Sequence, residues 1–181
     1  MITGKNHIGS QLLASGNKIF KTFNPQLNVE NPWQITEATT DEIKLATTIA
    51  NKAFLSFQKC TGKDKALFLK TIADEILALG DELLDVYCQE SGLPRGRAEG
   101  ERGRTIGQLN AFADLVADGS WVEATIDTAI PDRAPLPKVD IRKMMRPLGP
   151  VVVFGSSNFP FAYSTAGGDT ASALAAGCPV I

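Results

Sequence analysis

"RPLGPVVVFGSSNFP", residues Arg146 to Pro160, decides how this 181-residue chain is read. Val151, Val152, Val153 and Phe154 make a continuous apolar run, the pattern of a strand buried on both faces. The run opens at Gly155 into Ser156, Ser157 and Asn158, and "NFPFAYSTAGGDTASALAAG" (158–177) reads as a helix thinned by Gly167 and Gly168 and stopped by Gly177. "CPVI" (178–181) then starts a second buried strand. Strand, helix, strand is a βαβ unit, so a parallel sheet begins here. The second strand is cut off where it should be gathering partners, and the sequence reads as a fragment.

Upstream lies mostly helix. "NKIFKTFNPQLN" (17–28) alternates apolar and polar residues and closes on Asn-Pro, as an edge hairpin does. Thr39 and Glu42 have capping-box spacing, followed by Ile43, Ala46, Ile49, Ala50, Ala53 and Phe57 on one helical face. A second amphipathic helix is expected over 64–79 and a third over 81–91, stopped by Gly92. "IPDRAPLPKVD" (130–140) is a proline-rich connector.

The segment from 94 to 119 carries three faces. Gly96, Gly100, Gly103 and Gly107 align on one of them. Each interior glycine costs a helix ~1 kcal/mol against alanine, so the row suggests close approach of another backbone or a ligand. Arg97, Glu101, Arg104 and Gln108 form a polar stripe, and Ala98, Thr105, Leu109, Phe112 and Val116 form the core side. The stripe is either a solvated face laced by Arg97/Glu101 and Glu101/Arg104 pairs or a carboxylate-recognition surface.

Composition removes several functions. Eighteen basic against twenty acidic residues leave a net charge of −2 without a basic stripe, which argues against a nucleic-acid partner. No apolar run reaches membrane-span length and the start lacks a secretory core, so a cytoplasmic protein is expected. The lone His7 and the widely spaced Cys60, Cys88 and Cys178 offer neither a zinc site nor a Cys/His or Ser/His dyad, and each cysteine reads as a small buried hydrophobe.

The carboxyl end of a parallel strand is where α/β sheets bind ligands, yet GxGxxG and GxxxxGK[ST] are both absent. At that place a carboxamide such as Asn158 either donates its N–H to an oxygen gaining negative charge, as in an oxyanion hole, or caps the helix that follows.

"RPLGPVVVFGSSNFP" with "ALAAGCPVI" (173–181) resembles the aldehyde dehydrogenase superfamily, which carries a proline-glycine strand, an Asn-Phe-Pro turn and an Ala-Leu-Ala-Ala-Gly helix end. The resemblance spans nearly the whole chain. "ESGLPRGRAEGERGRTIGQL" (90–109) and the 154–177 segment look most like the α-ketoglutaric semialdehyde (2,5-dioxovalerate) dehydrogenase branch, which includes enzymes described as fatty aldehyde dehydrogenases.

This resemblance implies the amino-terminal part of an α/β dehydrogenase fold, a helical layer plus the start of a Rossmann-like parallel sheet. It divides the chain into a flexible start (1–16), a hairpin of edge strands (17–30), the helical layer (38–118), a connector (119–145) and the first, truncated βαβ of an NAD(P)-binding domain (146–181). The implied reaction oxidises an aldehyde to its acid with NAD or NADP, in an enzyme that works as a homo-oligomer, a dimer or tetramer. Asn158 matches the oxyanion asparagine. Phe154, Gly155, Ser156 and Ser157 match the strand end along the cofactor, with two serines where relatives commonly have Pro-Trp. Phe159, Ala162 and Ala166 would line the aldehyde tunnel, Phe159 being equally well explained as core packing. Ala166 replaces a bulky aromatic and implies a roomier tunnel. Arg97, Glu101, Arg104 and Gln108 would handle a distal carboxylate, Arg104 foremost. The family's nucleophilic cysteine and general-base glutamate correspond to positions beyond Ile181, so these residues alone are expected to be inactive. A non-catalytic binding or assembly module with half the fold is the alternative.

Overall fold

The computed structural model describes residues 2–181. The chain opens with a small hairpin, β1 (Asn6–Ile8) and β2 (Gln11–Leu13), where the sequence suggests a flexible start. Ile8 is buried beneath it. The hairpin is tied to the next one by Thr36 N donating to Gly4 O at 2.9 Å. Gly4 makes this approach possible: its φ is +64°, and a Cβ there would stand 1.7 Å from Gln34 O.

β3 (Ile19–Asn24) and β4 (Val29–Thr36) pair antiparallel, with a register shift between Lys21 and Phe23. Asn24 Oδ1 accepts from Gln26 N and Leu27 N and shapes the turn. The hairpin runs to Thr36 instead of closing near 30, because Trp33 Nε1 donates to Thr22 Oγ1 and to Glu90 Oε1 and pins the strand down.

Four helices follow: α1 (Thr40–Phe57), α2 (Gly62–Ala78), α3 (Gly80–Ser91) and α4 (Arg95–Asp118). The Thr39/Glu42 capping box forms, and Thr61 with Asp64 repeats it at the head of α2. α2 and α4 build the core with α5 (Gly168–Ala176). Leu69, Ala73, Leu109, Ala113, Val116, Ala171 and Ala175 are buried together, the alanines letting the three helices approach closely. Ala98, Thr105, Leu109 and Val116 face inward as the spacing predicts, Phe112 only partly. A Cβ added at Gly96, Gly100, Gly103 or Gly107 would meet nothing within 4 Å, so the glycine face of α4 is open where a close neighbour was expected.

The connector is partly sheet. After a 3-10 turn (Ser120–Val122), β5 (Thr125–Asp127) pairs antiparallel with β6 (Ile141–Lys143), and Ile130 bridges Lys138 at the base of the proline-rich tip. These strands are short and exposed on every residue, so no burial pattern marks them in sequence.

The βαβ unit exists in reduced form. Val151 pairs parallel with Val180: Val151 N donates to Pro179 O (2.8 Å), Ile181 N to Val151 O (2.9 Å) and Val153 N to Ile181 O (2.8 Å). Among the described residues each segment has one partner only. Val152 and Phe154 are therefore exposed, Phe154 at 87 %, and the run is not covered on both faces. The helix expected from Asn158 begins only at Gly168; 157–167 is a series of turns. The chain folds back so tightly that a Cβ at Gly167 would lie 2.5 Å from Ala162 O. Cys178 is buried and Cys88 half-buried as small hydrophobes, but Cys60 is exposed in the turn between α1 and α2.

Candidate active site

The turn from Phe154 to Gly168 leaves the parallel pair, crosses the flank of α4 and returns to start α5. Its own bonds are few. Ser156 N donates to Tyr163 O (2.7 Å), Tyr163 N to Phe159 O (3.1 Å) and Gly168 N to Ala162 O (3.0 Å). At its apex Asn158 is exposed. Ser156 Oγ donates to Asn158 Oδ1, which leaves the Asn158 N–H donors without an acceptor among the described residues. The residue before α5 is Gly167, and no side chain caps that helix. The capping role of Asn158 therefore falls away, because the helix it would cap starts ten residues later.

The turn rests on the polar stripe of α4. Arg97 Nη2 donates to the Asn158 carbonyl at 3.0 Å and Arg97 Nε to Glu101 Oε1 at 2.7 Å. Glu101 is 4 % exposed. It also accepts from Tyr87 Oη (2.8 Å), Phe161 N (3.1 Å) and Ala162 N (3.4 Å). Burial pushes its carboxyl up, but hydrogen bonds from Phe161, Tyr87, Arg97 and Ala162 overrule that and hold it below the ordinary range. Tyr87 is pushed up to about 12, first by burial and then by its bond to the Glu101 charge. Glu101 is thus ionised and turned inward, its two oxygens taken by four donors.

Arg104 stands differently. It is exposed, donates Nη2 to Tyr163 Oη at 2.7 Å and lies over the rings of Phe159 (5.6 Å) and Tyr163 (5.1 Å), without the expected pair to Glu101. No carboxylate partners it among the described residues. Arg97 covers Phe159 from 4.6 Å, and Phe159 meets Tyr163 edge-on at 5.6 Å. Phe159 is therefore half-buried beside two cations on the flank of α4, and it belongs to neither hydrophobic core cluster. Gln108 backs the second glycine, whose added Cβ would fall 2.1 Å from Gln108 Oε1.

Behind the turn lies a cavity of about 520 Å³ between α3, α4 and residues 157–166. Ala166 and Ser157 line it with Tyr87, Arg102 and Phe161, whereas Phe159 and Ala162 do not. Ala162 is 1 % exposed and serves the packing of the turn. None of the three cysteines lines it. Tyr87, Tyr163 and Arg102 belong to the site without having been read from the sequence. Tyr163 stands one helical turn after Phe159, a signal that could have found it. Tyr87 and Arg102 are joined to the turn only by tertiary packing.

Phe154, Gly155, Ser156 and Ser157 follow the parallel pair on an open surface. Among the described residues the N–H groups of Phe154 and Gly155 make no backbone bond. Polar backbone along an exposed strand end fits a cofactor that is held mainly through the main chain. The described residues contain no group of His, Cys, Asp and Glu able to hold a metal, and no helix is long and apolar enough to cross a membrane.

The aldehyde dehydrogenase family profile matches residues 12–181. Over 182 residues the chain is 48 % identical to "Alpha-ketoglutaric semialdehyde dehydrogenase 2" of Azospirillum brasilense, covering 99 % of this chain and 34 % of that protein. It is 46 % identical to "Alpha-ketoglutaric semialdehyde dehydrogenase" of Acinetobacter baylyi, covering 98 % and 34 %. The structure superposes with TM-score 0.85 on a betaine aldehyde dehydrogenase of Staphylococcus aureus in complex with NAD+, at 21 % identity and over 99 % of this chain and 35 % of that one. The chain spans about a third of the length of these relatives. With the profile running from the first hairpin through the Asn158 turn to Ile181, the chain belongs to the aldehyde dehydrogenase family.

Proposed function

We propose that these residues form the amino-terminal part of an NAD(P)-dependent dehydrogenase that oxidises a semialdehyde, α-ketoglutaric semialdehyde or a close relative, to the acid. The observation that carries this is Asn158: an exposed carboxamide at the end of a parallel strand, its oxygen engaged by Ser156 and its N–H donors free. Such a donor stabilises the oxyanion formed when a nucleophile adds to an aldehyde, and pre-set donors of this kind cost nothing to reorganise during reaction. Residues 154–157 would hold the dinucleotide along their backbone. When bound, that cofactor supplies the hydride acceptor. Arg104, with donors to spare and no carboxylate of its own, would take the distal carboxylate of the substrate.

None of Cys60, Cys88 and Cys178 stands in this site, so the 181 residues alone should give no turnover. In the longest natural polypeptide that contains them, Asn158→Ala should lower kcat ~100 to 1000-fold with cofactor affinity nearly unchanged. Steady-state kinetics with α-ketoglutaric semialdehyde and NAD+ or NADP+ check this. A drop below tenfold rejects the oxyanion role.

A further inference from the structure

The Asn158 turn belongs to no helix or sheet, so its backbone must find partners elsewhere. Phe161 N and Ala162 N find theirs in one carboxylate oxygen, Glu101 Oε2, at 3.1 and 3.4 Å. The other oxygen holds Arg97 Nε at 2.7 Å and Tyr87 Oη at 2.8 Å. Arg97 in turn reaches the Asn158 carbonyl at 3.0 Å and covers the Phe159 ring. One buried side chain on α4 therefore grips the turn by two arms, one at Asn158 and one three and four residues later.

We propose that Glu101 is the positioning residue of Asn158: its carboxylate joins the Phe161 and Ala162 amides to the Arg97 guanidinium and so sets where the carboxamide stands. The proposal rests on the oxyanion reading of Asn158. Glu101 itself touches no reacting atom. A carboxylate is required because both oxygens must accept. A glutamine of the same shape has one acceptor, and its NH2 would face either Arg97 Nε or the two amides, donor against donor, so that one arm is lost. Misplacing a reacting group by about 1 Å costs on the order of 100-fold in rate.

The test is a double-mutant cycle in the full-length polypeptide, with Glu101→Gln, Asn158→Ala and the pair together, alongside amide hydrogen exchange of residues 157–163. The expected result is a kcat ~10 to 100-fold lower for Glu101→Gln with the cofactor KM unchanged within about twofold, and a double variant no worse than Asn158→Ala alone. Exchange over 157–163 should quicken by about tenfold or more while α2 stays protected. Multiplicative losses in kcat, or exchange equal to the parent, overturn the proposal. Should Asn158→Ala leave turnover intact, the oxyanion reading fails, and the exchange of 157–163 decides on Glu101 by itself. Should Glu101→Gln not fold, Arg97→Met cuts the arm to Asn158 from a half-exposed position, and the same cycle and the same exchange apply.

Discussion

Within one stripe of α4, four side chains of similar spacing do different things. Arg97 and Glu101 are engaged with the turn, Gln108 backs Gly168, and Arg104 donates to Tyr163 with no carboxylate partner among the described residues. The spacing put them on one face but could not rank them, because burial of Glu101 depends on Tyr87 and Phe161, which arrive from other parts of the chain. Arg104→Ala should raise KM about tenfold or more for a carboxylated aldehyde and leave a simple aliphatic aldehyde unaffected, measured as paired kcat/KM values. Charge-assisted bonds to a carboxylate give ~1.5 to 3 kcal/mol, about a 10 to 150-fold effect when fully lost. Equal losses for both substrates discard the role. Asn158 illustrates the converse: the sequence offered an oxyanion donor or a helix cap, and the cap fell away once α5 was found to begin at Gly168.

The helices show which local signals survive folding. Thr39 with Glu42 starts α1 as its spacing requires, since a capping box is satisfied within four residues and needs no distant partner. α4 shows the limit of such reasoning. Its glycine row predicts a close neighbour, and in these 181 residues nothing lies within 4 Å of a Cβ added at Gly96, Gly100, Gly103 or Gly107. Gly103→Ala should therefore stabilise the 181-residue chain by ~1 kcal/mol, the difference in helix propensity, as read from urea unfolding. In the full-length polypeptide the same change tests the face: a loss of stability there means that a neighbour from the rest of the protein occupies it. The expected helix over 158–177 failed for a different reason. Its apolar and small residues suit a helix, but the chain doubles back so that Gly167 packs on Ala162 O and Gly168 N donates to that same carbonyl, a reversal that no local pattern reveals.

On the scale of the whole molecule, a helical layer carries a sheet that has only begun. Val151–Val153 and Pro179–Ile181 pair with each other and leave their outer edges unpaired beside exposed Val152 and Phe154. Open edges of this kind recruit other chains. The 181-residue chain should self-associate with rising concentration in sedimentation experiments, and Val152→Lys should shift it toward monomer; a parent that stays monomeric at high concentration sinks this expectation. The sequence by itself determined the helical layer with its Thr39/Glu42 cap, the parallel start at 151 and the family to which the chain belongs. Those follow from periodicity, local hydrogen bonds and a contiguous motif, and each is settled over a few neighbouring residues. Only the tertiary structure decided that the proline-rich connector folds into a hairpin, that Glu101 is buried and bonded to Tyr87, Arg97, Phe161 and Ala162, and that the helix after Asn158 begins only at Gly168. Those outcomes depend on which distant groups compete for the same donors and acceptors, and that competition is resolved only when the chain is folded.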